Sequence, residues 1–192
     1  MKGHGKEMRI TKKQILQTAS DIADQDGLSG VSLKAVAAAL QIRTPSLYNH
    51  IDSLEGLLLE VAHSGMREIN HQITQTTVGI SGDTAIQSAG EAYLCFMIAH
   101  PGVYETIQWA TWHQNNETEQ ILSDYHCLMG KLVLSCGLNI AELDPVVRLL
   151  EGFLHGYATQ QLGSALAQPD VAFADMSSAL DVVLLGIHQK YQ

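Results

Sequence analysis

Apolar residues recur at intervals of three and four along most of the chain, which is the spacing of an amphipathic α-helix. Near the N-terminus, Ile15, Ala19, Ile22 and Ala23 form one such row. No stretch of five or more residues alternates cleanly between β-branched apolar and polar side chains, as a half-buried strand would. The pattern therefore predicts an all-α protein.

Capping residues predict the ends of the N-terminal helices. Thr11–Gln14 is a capping box that begins the first helix, and Gly27 is typical of a residue that ends one. Ser32 is predicted to cap a second helix, and Thr44, which a proline follows, a short third helix. A capping box at Asp52–Glu55 is predicted to begin a fourth helix.

Charge divides the chain into two parts. Residues 1–60 hold seven Lys and Arg against seven Asp and Glu, whereas residues 61–192 hold four against thirteen and carry the whole net charge of −9. We therefore expect one domain at 1–60 and a second at 61–192. Residues 1–13 form a basic arm that suits DNA, although a solubilising tail has the same composition. Five helices are predicted in the second domain, at about 83–99, 101–114, 117–136, 144–165 and 174–190.

The sequence also bears on the compartment. No apolar run reaches 18 residues, and the polar N-terminus leads into no signal-peptide core, so neither a membrane protein nor a secreted one is expected. Cys95, Cys127 and Cys136 form neither a CxxC pair nor an even set for disulfides. We expect a cytoplasmic protein with reduced, buried thiols.

Residues 32–50 have the layout of a helix-turn-helix, since two short helices are joined by a three-residue turn. Leu47 and Ile51 are four residues apart and can pack on the apolar face of the preceding helix. The polar residues of the second short helix are then left on its outer face, where they can reach a DNA groove. An ordinary helical hairpin is the alternative that this pattern leaves open.

Residues 27–62, GLSGVSLKAVAAALQIRTPSLYNHIDSLEGLLLEVA, resemble the N-terminal DNA-binding domain of the TetR family of transcriptional repressors. The resemblance implies an all-α homodimer, with a three-helix helix-turn-helix domain followed by a six-helix ligand-binding and dimerisation domain. It also implies that Tyr48 and His50 contact phosphates and that Thr44, Ser46 and Asn49 face base edges. The whole implied DNA face comprises Ser32, Lys34, Arg43, Thr44, Pro45, Ser46, Tyr48, Asn49 and His50.

Two positions depart from the pattern of that family. Gln41 stands in the turn where family members often have glycine, so the turn must accommodate a side chain. Leu54 stands where they often have a lysine that contacts phosphate, and we expect Arg43 or the basic arm to compensate. In the second half, residues 92–107 and 148–166 resemble the C-terminal domain of TetR-like proteins of the WHG type.

Aromatic residues and methionines are the main candidates for an effector site. Trp109 and Trp112 are three residues apart in one predicted helix and so share a face. Such residues either fill a core or line a mostly apolar pocket. Because residues 61–192 contain only four cationic side chains, a neutral or cationic apolar effector fits better than a multiply charged anion. The candidate lining comprises Tyr93, Phe96, Met97, Tyr104, Gln108, Trp109, Trp112, His113, Tyr125 and Met129.

The region of residues 144–190 carries more apolar residues than one buried helix face requires. Gly152 and Gly156, four residues apart, permit the close approach of another helix. A four-helix interface between two copies would bury this surface, and burial within one chain is the alternative. The apolar residues concerned are Val146, Val147, Leu149, Leu150, Phe153, Leu154, Tyr157, Leu180, Val183, Leu184 and Ile187.

The sequence offers no convergent catalytic or metal-binding set. Its nine histidines form no HxxxH pair, and the acid, base and nucleophile candidates within residues 123–127 point in different directions from one helix. We expect no enzyme activity, metal or cofactor. The expected function is a repressor that a small apolar molecule releases from a palindromic operator. The alternative is a helical small-molecule sequestering protein with a degenerate helix-turn-helix, which only Leu54 supports.

Overall fold

The computed structural model describes residues 10–113, 115–138, 141, 143–163 and 169–191. Within these ranges the chain forms nine α-helices and no β-strand, so the predicted all-α class is confirmed. A 3₁₀ turn, Leu28–Gly30, follows the first helix. The helices are α1 (Lys12–Asp26), α2 (Leu33–Ala39), α3 (Thr44–Leu47), α4 (Leu54–Thr76), α5 (Gly82–Ala99), α6 (Pro101–Thr111), α7 (Asn116–Leu134), α8 (Leu143–Gly163) and α9 (Pro169–Tyr191).

The predicted caps of the first two helices are confirmed. Thr11 and Gln14 form a capping box, in which the Thr11 Oγ1 accepts the Gln14 N–H at 3.3 Å. Gly27 ends α1 at φ +74°, and its N–H donates to a carbonyl of the last turn. At the start of α2, the Ser32 Oγ accepts the Ala35 N–H at 3.1 Å. Short polar groups that are adjacent in sequence therefore specify these helix ends.

Two other predicted caps are one residue out of place. The residue before α3 is Arg43 in an extended conformation, so Thr44 is the first helical residue and not the N-cap. The residue before α4 is Ser53, whose Oγ accepts the Gly56 N–H at 3.0 Å, and Asp52 lies outside the helix. Because Asp, Ser and Thr are all favourable N-caps, the sequence alone does not rank neighbouring candidates.

The chain is divided into two compact units. The first unit contains the residues up to Ala62 together with Gly102–Trp112, so it includes α1–α3, the start of α4 and nearly all of α6. The second contains His63–Pro101 and the residues from His113 onward. The charge distribution predicts that residues 101–114 belong to the second domain, but contacts with α1 group most of them with the first unit. The functional division into DNA-binding and ligand-binding domains stays a prediction.

The first unit closes on a small apolar core in which α3 packs against α2. Leu47 and Ile51, the predicted anchors of the helix-turn-helix, are 0% and 4% exposed. This burial explains how an α-helix of only four residues is held in place. The other buried residues of this core include Ile15, Ala19, Val36, Ala37 and Leu57.

In the second unit α5 is the central helix, because it packs against α7, α8 and α9. Gly90 of α5 allows α8 and α9 to approach closely. A Cβ at this position would lie 3.2 Å from a Leu154 methyl group and 3.3 Å from one of Leu180. The core of this unit therefore depends on a small residue in the middle of α5.

The three cysteines are free, but they are not all buried as expected. Cys95 and Cys127 are exposed, because they lie on faces of α5 and α7 that point away from the core. Cys136 is half-buried, and burial together with the nearby Asp83 carboxylate raises the pKa of its thiol to about 11. The Cys136 thiol is therefore protonated at neutral pH.

Candidate nucleic-acid interface and effector region

The turn of the helix-turn-helix is a Schellman motif. The Ile42 N–H donates to the Ala37 carbonyl at 2.9 Å, and the Gln41 N–H donates to the Ala38 carbonyl at 3.0 Å. Gln41 has φ +56°, in the left-handed region that favours glycine. The turn therefore does accommodate a side chain, and Gln41 is exposed in a strained backbone conformation.

The recognition segment, residues 44–50, is anchored at two apolar positions. α3 provides one helical turn, after which the His50 N–H donates to the Leu47 carbonyl at 2.8 Å. Leu47 and Ile51 are buried, whereas Tyr48 between them is 56% exposed. The segment therefore presents Tyr48 outward while its neighbours fix it to the core of the first unit.

None of the nine residues predicted to face DNA is buried. Ser32, Thr44 and His50 are partly exposed. Since the Ser32 oxygen already accepts the Ala35 N–H, its hydroxyl would act toward a phosphate as a donor. Contacts of all nine with DNA stay a prediction. The exposed members are Lys34, Arg43, Pro45, Ser46, Tyr48 and Asn49.

Only some of the cationic side chains expected to contact phosphate in place of a lysine at position 54 are free of an ion pair within the described residues. Leu54 is partly buried at the start of α4. Lys12 of the basic arm forms an ion pair with Glu60, with 2.7 Å between its Nζ and the Glu60 Oε2, which the sequence did not predict. Arg43 is exposed beside α3, and residues 1–9 of the arm lie outside the described residues. Lys13 of the arm is exposed as well, and compensation for Leu54 by Arg43 or by the arm stays a prediction.

Five members of the candidate effector lining lie on α5 and α7 of the second unit, two helices that pack against each other. The rings of Tyr93 and Tyr125 stack with their centroids 6.3 Å apart. Phe96, Met97 and Met129 are at most 3% exposed. These residues form part of the packing between the two helices. Their contact with an effector stays a prediction.

Four other members of that lining lie on or beside α6, in the first unit. Tyr104 is 2% exposed, and Gln108 and Trp109 are partly exposed. Trp112 is 86% exposed, so the prediction that it lines an apolar pocket is wrong for this structure. α6 ends at Thr111, and Trp112 lies just beyond the helix, where its N–H donates to the Trp109 carbonyl at 3.2 Å. His113, the next residue, is partly exposed.

A polar cluster between α4 and α7 was not predicted. The His63 side chain is buried, with its Nε2 2.8 Å from the Thr118 Oγ1 and its Nδ1 3.5 Å from the Glu117 carboxylate. Arg67, one turn further along α4, pairs with the same carboxylate. The sequence feature that could have indicated this cluster is a histidine three residues before Met66, within the apolar row of α4. Its partner Thr118 is 55 residues away in sequence and cannot be inferred from that row.

Seven of the eleven residues predicted to form a dimer interface are buried within the chain. They lie on faces of α8 and α9 that pack against α5 and α7, so for these seven the interface prediction is wrong. Leu149 is 50% exposed, and Val182 and Leu185, which were not predicted, are 71% and 69% exposed. The seven buried residues are Val146, Val147, Leu150, Leu154, Leu180, Leu184 and Ile187.

Glycines extend the exposed apolar face of α8 and α9. A Cβ added at Gly152, Gly156 or Gly186 would meet no atom within 4 Å. By length and composition, Val171–Tyr191 of α9 could also cross a membrane, a test that core helices of soluble proteins pass as well. The described residues of α8 and of α9 therefore each include apolar side chains that packing within the chain leaves exposed.

Comparisons with known proteins agree with this arrangement. Residues 86–183 match the family model described as the tetracyclin repressor-like C-terminal domain. The uncharacterized HTH-type transcriptional regulator YobS of Bacillus subtilis strain 168 is 32% identical over 180 residues, and the alignment covers 93% of each chain.

Solved structures show the same fold. FadR from Bacillus subtilis in complex with stearoyl-CoA aligns with a TM-score of 0.73 at 12% identity, covering 93% of this chain and 100% of that one. A TetR variant from Acinetobacter baumannii AYE in complex with minocycline aligns with a TM-score of 0.71 at 14% identity, covering 96% and 99%. These structures establish the fold, whereas the family model and the YobS alignment establish the family. The chain belongs to the TetR family of transcriptional regulators.

Proposed function

We propose that this protein is a cytoplasmic homodimeric repressor that binds a near-palindromic operator and leaves it when a small, mostly apolar molecule binds. The observation that carries the proposal is the helix-turn-helix geometry. Leu47 and Ile51 anchor a single helical turn from which Tyr48 points outward. Repression is favoured over activation because a dimer on its operator occludes a promoter without contacting another protein.

On DNA, each recognition segment would enter a major groove, and the two copies would lie about one helical turn apart, roughly 34–36 Å. Tyr48 and His50 would position the protein on phosphates. Thr44, Ser46 and Asn49 have short side chains and would read base edges once the backbone comes close. This assignment is supported by the partial or full exposure of all five residues.

The dimer would form through the α8–α9 region, about residues 144–190. Leu149, Val182 and Leu185 leave a large apolar area in water in a single chain, and a second copy would cover it. The open space at Gly152 and Gly156 would let a helix of the partner approach closely. An interface between identical faces is also what a near-palindromic operator requires.

The effector would be apolar and either neutral or cationic. The aromatic and methionine side chains of α5 and α7 supply an apolar environment, and Arg67, one of the four cationic residues of 61–192, already pairs with Glu117. TetR, which shares this fold, forms a complex with minocycline, whereas the stearoyl-CoA in the FadR complex carries several negative phosphate charges and is not the class of effector expected here. We infer that a small organic molecule releases this protein from its operator, with no metal or cofactor and no membrane.

A mobility-shift titration against the DNA that flanks the gene, at two salt concentrations, tests the proposal. We expect a single retarded complex that contains two chains, with an affinity that falls as salt rises because bound cationic groups displace counterions. Light scattering after gel filtration should give the mass of a dimer. A footprint by a monomer on one half-site would contradict the proposal.

The sequestering protein is the second candidate, and the observation that favours it is Leu54 in place of a phosphate-binding lysine. It predicts that the protein binds an apolar fluorescent dye but retards neither the flanking DNA nor any duplex selected from a random library. In that case Leu54→Lys would not increase binding to an operator, because the protein forms no operator complex. For a repressor, by contrast, Leu54→Lys should tighten binding to all sequences alike.

A further inference from the structure

α1 and α6 exchange hydrogen bonds between carboxylates and backbone. The Asp24 Oδ1 on α1 accepts the N–H groups of both Gly102 and Val103, each at 2.9 Å. In return, the Glu105 Oε2 on α6 accepts the N–H of Leu28, just after the end of α1, at 2.8 Å. These five residues form what we name the α1–α6 clamp, and all of them belong to the first unit.

The clamp pairs backbone donors at the start of α6. The helix begins at Pro101, which lacks an N–H, and the preceding His100 ends α5 by donating its N–H to the Phe96 carbonyl at 2.8 Å. The first backbone donors of α6 are therefore those of Gly102 and Val103. Asp24 supplies the acceptor from 78 residues away, and its negative charge suits the positive end of the helix dipole.

Gly102 brings the two helices into backbone contact. A Cβ at this position would lie 1.8 Å from the Ala23 carbonyl oxygen and 2.6 Å from the Asp24 nitrogen. A larger residue would have to push α6 away from α1, which would also draw the Gly102 and Val103 N–H groups away from the carboxylate. Backbone contact and the Asp24 hydrogen bonds therefore depend on each other.

We propose that Asp24 is a positioning residue for regulation, because it fastens α6 to the unit that carries the helix-turn-helix. This inference rests on the proposed function. The chain passes from the second unit into α6 at Pro101–Gly102 and returns at Trp112–His113. When α6 is displaced, the hydrogen bonds of the clamp transmit the displacement to α1. Loosening the clamp therefore weakens the link between α6 and DNA binding.

Hydrogen exchange of the full-length protein tests this link, with and without an operator duplex obtained by in vitro selection. In free Asp24→Ala, exchange of the Gly102 and Val103 amides should be faster on the order of tenfold. In the wild type, the duplex should slow exchange in α6 as well as in α1–α4. In Asp24→Ala the duplex should still slow exchange in α1–α4 but no longer in α6. Asp24→Asn keeps an oxygen acceptor and should restore the wild-type pattern.

Asp21→Ala is the matched control. It removes the same charge one turn earlier on α1, where Asp21 accepts an exposed hydrogen bond from Gln17 at 2.9 Å. It should leave exchange in α6 as in the wild type. If Asp24→Ala does not fold, Glu105→Ala removes the reciprocal bond and should likewise reduce the protection of α6 by the duplex.

Protection of α6 by the duplex in folded Asp24→Ala, equal to that in the wild type, would overturn the inference. So would unchanged exchange of the Gly102 and Val103 amides in the free variant. If the wild type binds no selected duplex at all, the proposed function fails, and the regulatory role of Asp24 fails with it. Circular dichroism of each variant separates these outcomes from unfolding.

Discussion

A Cβ atom at Gly102 would lie 1.8 Å from the carbonyl oxygen of Ala23, so the backbones of α6 and α1 touch at this point. Gly102→Ala should therefore lower the free energy of unfolding by about 3 kcal/mol, because the helices must separate. Urea unfolding followed by circular dichroism measures this change.

Gly56→Ala is the control for that substitution within the same unit. An added Cβ there would have its nearest contact 3.4 Å away, at the Ser53 Oγ. Alanine should raise the stability of α4 by about 0.5–1 kcal/mol, since it loses less entropy in a helix than glycine does. Equal destabilisation by the two substitutions would contradict the close approach of α6 to α1.

The turn of the helix-turn-helix can be tested at Gln41, whose φ of +56° is unfavourable for a residue with a Cβ. Gln41→Gly should raise the free energy of unfolding by about 1 kcal/mol. Ala38→Gly, at an exposed position of α2, should lower it by about 1 kcal/mol. If both glycines destabilise the protein equally, Gln41 is not in the left-handed conformation in solution.

The roles proposed within the recognition segment predict different responses to sequence. Tyr48→Phe should weaken binding to all duplexes by a similar factor, because it removes a phosphate contact. Asn49→Ala should cost about 1–3 kcal/mol at the cognate base pair and little elsewhere. Competition titrations with operator and unrelated duplexes measure both. A change of sequence preference in Tyr48→Phe without loss of non-specific affinity would show that the roles are wrongly assigned.

Trp112 should be nearly dispensable for folding and for the response to an effector. Its side chain is 86% exposed, so Trp112→Ala should change the free energy of unfolding by less than about 0.5 kcal/mol. Trp109→Ala removes a partly buried ring and should cost about 1 kcal/mol or more. Tryptophan emission of Trp112→Ala should shift to shorter wavelength, since the solvent-exposed fluorophore is lost. Loss of effector response in folded Trp112→Ala would place Trp112 in the effector site after all.

Cys136 should be the slowest of the three thiols to react. Burial, and then the Asp83 carboxylate, raise its pKa from an ordinary 9.0 to about 11, so below pH 9 its thiolate is about 100-fold less abundant. Alkylation with iodoacetamide at pH 8, followed by mass spectrometry of each peptide, should modify the exposed Cys95 and Cys127 before Cys136. Asp83→Asn lowers the pKa of Cys136 and should speed its alkylation. Equal rates at Cys95 and Cys136 in the wild type would contradict the raised pKa.

Local signals in the sequence were sufficient for most of the helices and for the helix-turn-helix. Thr11 and Ser32 cap helices through atoms three residues away, and Leu47 and Ile51 are spaced so that one face of a short helix is apolar. These relationships lie within one or two helical turns, and a periodicity or capping rule captures them. The family resemblance extended them to the proposed DNA face, for which Tyr48 is suitably exposed.

The features that the sequence analysis missed join residues far apart in the chain. The bond of Asp24 to Gly102 and that of His63 to Thr118 each connect residues at least 55 positions apart. Apolar residues on α8 and α9 were correctly recognised as more than one face requires, but the sequence does not state which face meets α5. As a result Leu150 and Leu154 were assigned to an interface, whereas Val182 and Leu185 were overlooked.

The grouping of α6 with α1–α3 limits where this regulator can be truncated or fused to another protein. A fragment that ends at Ala62 would lack α6 and leave Asp24 without the Gly102 and Val103 N–H groups. A chimera that exchanges operator specificity by a cut within α4 would place α1 of one parent against α6 of the other. Such a graft requires glycine opposite Ala23 and a carboxylate opposite the start of α6. The first unit is therefore discontinuous in sequence, and a graft must move both of its segments together.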